Sequence, residues 1–161
     1  MAAANRSKIH PFLWYAKEAE EAAKFYTSIF PGSRIVEVTR YGSAGPRAEG
    51  TVMTVLFELD GQRFVALNGG PEFKPNEAIS FQVDCGTQEE VDSYWDALTD
   101  GGEPGPCGWV KDRFGVSWQI VPKVLTQLIT DSDEEKGQRV MAAMLSMGKI
   151  EIAELERAAA G

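Results

Sequence analysis

Histidine and cysteine, which often bind transition metals or act as nucleophiles, are scarce: the 161 residues contain one histidine and two cysteines. Cys85 and Cys107 match neither a structural zinc spacing nor a CxxC redox pair. The GxSxG elbow, the P-loop and the HExxH motif are also missing. These absences argue against the commonest hydrolase, nucleotidase and zinc-protease chemistries. We interpret the cysteines as half-buried thiols, and a disulfide or a reactive thiol are the alternatives left open.

Basic residues are outnumbered, and long hydrophobic runs do not occur. There are 16 Lys and Arg against 24 Asp and Glu, which gives a formal charge of −8. Because so acidic a surface repels phosphate groups, we expect neither nucleic acid nor an anionic membrane as a partner. No apolar segment approaches the ~18 residues that span a bilayer, and MAAANRSK is not followed by a signal-peptide apolar stretch. We therefore expect a cytoplasmic protein.

The first half of the chain predicts a β-α-β-β-β order. Residues 9–15 (IHPFLWY) have the composition of a strand, and residues 17–30 have the apolar spacing of a helix that Pro31-Gly32 ends. Three further runs are predicted as strands: Arg34–Tyr41, Thr51–Leu59 and Arg63–Asn68. Asp60-Gly61 predicts a tight hairpin between the last two.

The second half repeats this order in compressed form. A strand over Ala78–Asp84 precedes a helix that a Thr87/Glu90 capping box opens and Gly101-Gly102 ends. A short segment over Glu103–Gly105 and strands over Cys107–Lys111 and Val116–Val121 follow. The two halves share little sequence, so the repeat is one of pattern.

The remaining residues have helical patterns over Val124–Ile129, Glu134–Met147 and Lys149–Ala160. Their methionine cluster is typical of packing rather than of a cofactor site. It packs either on the protein's own sheet or on a second subunit, and we expect a homodimer.

Several strings in the chain resemble the PhnB-like family. They are KIHPFLWY, AEEAAKFYTSIFPGSRI, AISFQVDCGTQEEVDSYWDALTDGG and CGWVKDRFGVSWQIVP, with RVMAAMLSMGKIEIAELERA in the tail. This family, often labelled 3-demethylubiquinone-9 3-methyltransferase-like, belongs to the glyoxalase/bleomycin resistance/dioxygenase (vicinal oxygen chelate) superfamily. The resemblance implies an α+β fold of paired βαβββ modules whose half-sheets enclose a pocket. It predicts a domain over residues 8–122, with modules at 8–70 and 77–122, and a C-terminal helical extension over 123–161.

The resemblance also implies four metal-ligand positions, which superfamily enzymes use to polarise a substrate with two neighbouring oxygens. His10, Ala66, Ala78 and Gln119 occupy them here. One imidazole and one amide without a carboxylate make a poor site for a divalent cation. We therefore expect no metal and no other cofactor. A divalent metal is the alternative, and it requires ligands such as Glu49, Glu58 or Glu72 to turn inward.

Strand alternation indicates what lines the pocket instead. Residues two apart on a strand share a face, which groups His10 with Phe12 and Trp14, Ser80 with Gln82, and Gln119 with Ser117 and Val121. The predicted ligand-contacting residues are His10, Phe12, Trp14, Asn68, Ser80, Gln82, Trp109 and Gln119. Aromatic walls with a few amides and hydroxyls are typical of a small-molecule site.

The function predicted from these residues is small-molecule binding, with metal-independent catalysis left open. The first alternative is a metal-dependent lyase, isomerase or dioxygenase of the superfamily. A second is the methyltransferase activity in the family label. It has weaker support, because neither Gly69-Gly70 nor Gly101-Gly102 lies between a strand and a helix, where S-adenosylmethionine enzymes have a glycine-rich turn.

Overall fold

Each half of the chain folds around its own four-stranded sheet. The computed structural model describes residues 7–161 and divides into two units, the first ending at Pro75 and the second running from Asn76 to Gly161. The first unit contains β1 (Phe12–Tyr15), α1 (Ala19–Ile29), β2 (Arg34–Arg40), β3 (Val52–Leu59) and β4 (Gln62–Asn68). The second contains β5 (Ser80–Cys85), α2 (Gln88–Thr99), β6 (Glu103–Pro104), β7 (Trp109–Lys111), β8 (Ser117–Pro122), α3 (Lys123–Ile129), α4 (Glu134–Leu145) and α5 (Ile152–Ala160).

Both sheets have the same topology. Their strand orders are β1-β4-β3-β2 and β5-β8-β7-β6. In each, the first strand pairs in parallel with the last, and the other pairs are antiparallel. The predicted α+β fold, with two βαβββ modules and C-terminal helices, is confirmed. None of the helices described within residues 7–161 has the length and apolar composition needed to cross a bilayer.

The core of the first unit lies between α1 and one face of its sheet. The buried stripe of α1 consists of three alanines, Ala19, Ala22 and Ala23, and Tyr26, and the small side chains let the helix lie close to the strands. The ring of Tyr26 stacks on that of Phe57, with centroids 6.2 Å apart. The hydroxyls of Tyr26 and Tyr15 lie 3.1 Å apart within hydrogen-bonding distance. Strand β1 and strand β3 are thereby joined through one helical residue.

The second unit begins its helix with the predicted cap. The Thr87 hydroxyl accepts a hydrogen bond from the Glu90 N–H at 3.2 Å. The Glu90 carboxylate reaches back one residue further than a capping box requires and accepts from the Gly86 N–H at 2.6 Å. Two N–H groups at this helix start are therefore satisfied by side chains.

The C-terminal helices pack on the second unit of their own chain. They share a buried apolar cluster with the end of β8: Val121, Leu125, Val140, Ile150 and Leu155, with Met144 and Met147 packed against it. The Cys107 and Gly108 N–H groups each donate to a carbonyl of the segment before α5, at 2.8 Å. The predicted extension is thus part of the second unit, and the methionine cluster packs within the chain.

A buried carboxylate organises the turn between β7 and β8. Asp112 is 3% exposed. Its Oδ1 accepts from the N–H groups of Phe114 and Val116, at 2.8 and 3.1 Å. Its Oδ2 accepts from the Trp118 indole N–H at 2.8 Å. Asp112 therefore fixes both the turn and the ring of Trp118, a core residue on β8.

Replacement of Asp112 by asparagine is expected to lower the free energy of unfolding by about 2–3 kcal/mol. An amide cannot accept from all three donors and places its own NH2 against one of them. Urea denaturation measures the loss. Asp96→Asn, on the exposed face of α2, is the matched control, and its effect is expected to stay within about 0.5 kcal/mol. Equal effects of the two substitutions would contradict the role given to Asp112.

Candidate functional site

In each sheet, the helix that follows the first strand packs on one face, and we call the other face the open face. In the second unit, the C-terminal helices pack against the end of that face at Val121. Cross-strand partners share a face, so the register of the second sheet identifies its open face: Ser80 and Gln82 pair with Ser117 and Gln119, which pair with Lys111 and Trp109. We call these six residues the polar face. Four of them, Ser80, Gln82, Trp109 and Gln119, are predicted site residues, and the structure brings all four to one surface.

Gln119 lies at the centre of the polar face. Its amide N–H donates to the Ser80 hydroxyl at 2.9 Å, and Trp109 is its cross-strand neighbour on β7. Across residues 7–161 the Gln119 side chain makes no other hydrogen bond, so its carbonyl oxygen is available as an acceptor. Gln82, more exposed, donates to the Asp84 carboxylate at 2.8 Å. The surface thus combines an indole ring with an oriented amide, which suits a ligand with both an apolar and a polar part.

A depression of about 410 Å³ lies at the β6–β7 side of the polar face. It is lined by Glu77, Glu103, Pro104, Gly105, Pro106, Trp109, Val110, Lys111 and Ser117. The Lys111 ammonium forms an ion pair with the Glu77 carboxylate. A hydrogen bond between these two groups raises the pKa of Lys111 and lowers the pKa of Glu77, so both are charged at neutral pH. Sequence reasoning missed Lys111 and Glu77, although Lys111 lies two residues from Trp109 on one strand.

The open face of the first sheet carries two predicted aromatic residues. Phe12 and Trp14 pair with Val65 and Leu67 of β4 on this face. Phe12 is 59% exposed. The Trp14 indole N–H donates to the Gly70 carbonyl at 2.8 Å, and its ring meets Phe73 edge-on with centroids 5.0 Å apart. Trp14 is thus held in place, whereas Phe12 presents its ring to solvent.

Two other predicted residues of the first unit lie elsewhere. His10 is exposed and precedes β1. Asn68 pairs with Tyr15 and therefore lies on the helix face, opposite Phe12 and Trp14. Its amide oxygen accepts from the Ala19 N–H at 2.8 Å, and its NH2 donates to the Val52 carbonyl at 3.1 Å. By accepting this hydrogen bond, Asn68 helps to fix the start of α1 at Ala19 rather than at the predicted residue 17. Asn68 also borders a cavity of about 720 Å³ between α1 and the β2–β3 connection.

The donor groups do not fit a divalent metal. Within the described part of the chain, no three His, Cys, Asp or Glu side chains are grouped so that they could share an ion. Ala66 is buried on the helix face and Ala78 precedes β5, and neither alanine has a side-chain atom that could bind a metal. Of the carboxylates in the metal-binding alternative, Glu58 pairs with Arg34 at 3.0 Å and Glu72 with Arg47 at 3.1 Å. Glu49 is exposed in the β2–β3 connection.

Two α+β units of one topology, each with a helix-covered and an open face, define a protein of the vicinal oxygen chelate type. Solved structures with this fold include protein PA1353 from Pseudomonas aeruginosa, with 19% identity, 72% coverage of this chain, 97% of that chain and a TM-score of 0.61. Another is the fosfomycin resistance protein FosX from Mesorhizobium loti, with 12% identity, 78% and 98% coverage and a TM-score of 0.56. At these identities the likeness concerns the fold alone.

The chain belongs to the 3-demethylubiquinone-9 3-methyltransferase family, whose model matches residues 7–121. The PhnB protein from Bacillus cereus is 38% identical, with 72% of this chain and 99% of that chain covered and a TM-score of 0.65. The family match ends before α3, so the C-terminal helices lie outside it. No curated protein matches the chain.

The two cysteines differ in environment. Both thiols are free. Cys85, at the end of β5, is fully buried, and this burial raises its pKa to about 11, with smaller contributions from the Glu90 and Asp84 carboxylates. Cys107 is half-buried in a turn with a φ of 56°. Because the thiolate is the reactive form, Cys85 is an inert core thiol.

Cys85 is expected to react with iodoacetamide at pH 8 about 100-fold more slowly than an ordinary thiol, because its pKa is raised from 9.0 to about 11. The rate should climb as the pH approaches that value. Peptide mass spectrometry follows Cys85 and Cys107 separately, and the same reaction in urea provides the unfolded reference. A native rate for Cys85 equal to its rate in urea would contradict this assignment.

Proposed function

We propose that this protein binds a small organic molecule, with an apolar or aromatic part and a polar part, without a metal ion. The observation that carries the proposal is the polar face of the second sheet, where Gln119 is oriented by Ser80 beside the Trp109 ring. An indole surface and an amide acceptor side by side supply stacking and orientation. The superfamily fold supports small-molecule binding, and the donor set supports binding without a metal.

A neutral hydrogen bond joins Gln119 to Ser80 on the polar face. The hydrogen bond from the Gln119 NH2 group to Ser80 fixes the orientation of the side-chain amide. Because the amide is planar, this bond also fixes the direction of its carbonyl oxygen. A ligand donor meeting that carbonyl would therefore find an acceptor that is already positioned, which reduces the ordering cost of binding. On the first sheet, we propose Phe12 and Trp14 as a separate aromatic contact surface. His10 and Asn68 stay predicted contacts.

Metal-dependent chemistry is the second candidate. A single-residue mutant of FosX from Listeria monocytogenes has been solved with Mn(II) and 1S,2S-dihydroxypropylphosphonic acid; it is 19% identical, with 73% of this chain and 93% of that chain covered and a TM-score of 0.53. Elemental analysis of the purified protein tests this candidate. One tightly held divalent ion per chain would contradict our proposal and support metal-dependent chemistry instead.

The methyltransferase label in the family name predicts micromolar S-adenosylmethionine binding, which calorimetry tests.

We also propose a homodimeric, cytoplasmic protein. Large apolar side chains are exposed in both units, Phe73 at 64% and Ile79 at 72% among them. Light scattering on the purified protein measures the molar mass, and a monomer at micromolar concentration would exclude the dimer.

Replacing Gln119 by alanine is expected to weaken ligand binding about tenfold, the loss of one hydrogen bond worth roughly 1.4 kcal/mol. The binders are first selected by thermal shift from a panel of aromatic amides, acids and phenols, using chelator-treated protein. Their affinities are then measured by calorimetry. Gln127→Ala, an exposed glutamine on α3, is the matched control. Equal affinities for Gln119→Ala and Gln127→Ala would exclude Gln119 from the site. A panel that binds untreated protein but not chelator-treated protein would exclude a metal-free site.

A further inference from the structure

Among the described residues, the buried hydroxyl of Ser117 has no hydrogen-bond partner. The residue is 1% exposed, and across residues 7–161 its Oγ makes no hydrogen bond. Burying a hydroxyl without a hydrogen bond costs free energy, and alanine at the same place would avoid that cost. Packing therefore does not account for a serine at this position.

The hydroxyl lies on the polar face, next to the depression. Ser117 pairs with Ser80 on one side and with Lys111 on the other, so all three side chains are directed to the same face. Ser80 is engaged by Gln119. Both Ser117 and Lys111 line the depression, and Trp109 lines it as well. A donor hydroxyl and an ammonium group thus border one space with an indole ring.

The present partner of Lys111 is replaceable. Glu77 lies in the exposed segment before β5, and its side chain is 61% exposed against 37% for Lys111. Glu103, opposite Lys111 on the edge strand β6, is exposed too. Exposed ion pairs contribute little to stability because water solvates both groups well. A ligand anion that also accepts a hydrogen bond from Ser117 would therefore compete well with Glu77.

We infer that Ser117 and Lys111 form an oxyanion subsite that binds the carboxylate or phosphoryl group of the ligand while its apolar part lies against Trp109. This inference rests on the proposed function and adds to it the charge of the ligand. The ligand anion takes the place of Glu77 on Lys111 and satisfies the Ser117 hydroxyl. A cationic ligand would face the Lys111 ammonium, and a neutral one would leave the ion pair in place.

Benzoate and benzamide test the inference, because they differ in charge but hardly in shape. Chelator-treated protein is titrated with each, and the tryptophan fluorescence and the NMR signals of the Trp109 indole are followed. Benzoate is expected to bind at least tenfold more tightly, with phenylphosphonate also preferred over benzamide. Binding of benzamide as tight as that of benzoate would overturn the oxyanion subsite and leave the proposed function standing. If neither compound binds, the oxyanion subsite is overturned. The proposed function is then tested separately by the thermal-shift panel of aromatic amides, acids and phenols.

Ser117→Ala separates a ligand-binding role from a structural one. The substitution is expected to weaken benzoate binding roughly 10- to 100-fold, as for a hydrogen bond to a charged group, and to raise the melting temperature. Ser132→Ala, an exposed serine before α4, is the matched control and should change neither. A lowered melting temperature for Ser117→Ala would show that the hydroxyl has a structural partner and would overturn the inference.

The ion pair provides two further variants. Lys111→Met should abolish the preference for benzoate over benzamide. Glu77→Gln should tighten benzoate binding several-fold, since the competing carboxylate is gone. Lys123→Met and Glu134→Gln, both exposed, are the corresponding controls. An unchanged benzoate affinity in Lys111→Met would overturn the assignment of the cation.

Discussion

The parallel pairing of the first and last strands of each unit determines where a site can form. Because β1 pairs in parallel with β4, and β4, β3 and β2 run antiparallel in turn, β1 and β2 point the same way at opposite edges of the sheet. Helix α1 connects them and must cross the whole sheet to do so. It covers one face and leaves the other open. The second unit repeats the constraint with β5, α2 and β6.

Local sequence signals predicted most of this architecture. Asp60-Gly61 has positive φ at both residues, 46° and 79°, which is the backbone of the tight hairpin turn that this dipeptide favours. Such turns, caps and apolar stripes depend on residues close together in the chain. The start of α1 does not: it is set by Asn68, whose amide arrives from β4. The sequence alone therefore placed the helix start two residues too early.

The sequence predicted which side chains share a sheet face in the second unit, but not the face on which Asn68 lies in the first. In the second unit, Ser80, Gln82 and Gln119 follow the alternation of long, unambiguous strands, and they share a face as predicted. In the first unit, Asn68 ends its strand, and its face is fixed by the register with Tyr15. That register depends on a pairing between segments about fifty residues apart, which alternation within one strand cannot reveal. The Lys111–Glu77 ion pair was missed for the same reason: Glu77 lies before β5 and Lys111 at the end of β7, so the two residues are far apart in the chain.

Two buried polar residues near the turn between β7 and β8 have different roles: Asp112 stabilises the fold, and Ser117 is assigned to ligand binding. Asp112 is a buried charge, yet three N–H donors satisfy its two oxygens. Ser117, five residues later, is a buried neutral group, and residues 7–161 provide no hydrogen-bond partner for its hydroxyl. On the helix side of β8, the Trp118 indole N–H is bound to Asp112 and thereby stabilises the core. On the open side, the Ser117 hydroxyl makes no hydrogen bond to residues 7–161. Unsatisfied polar groups in a packed protein call for a physical explanation. Here the explanation is the position of Ser117 on the polar face, where it lines the depression beside Lys111 and where the proposed ligand anion would supply the missing hydrogen-bond partner.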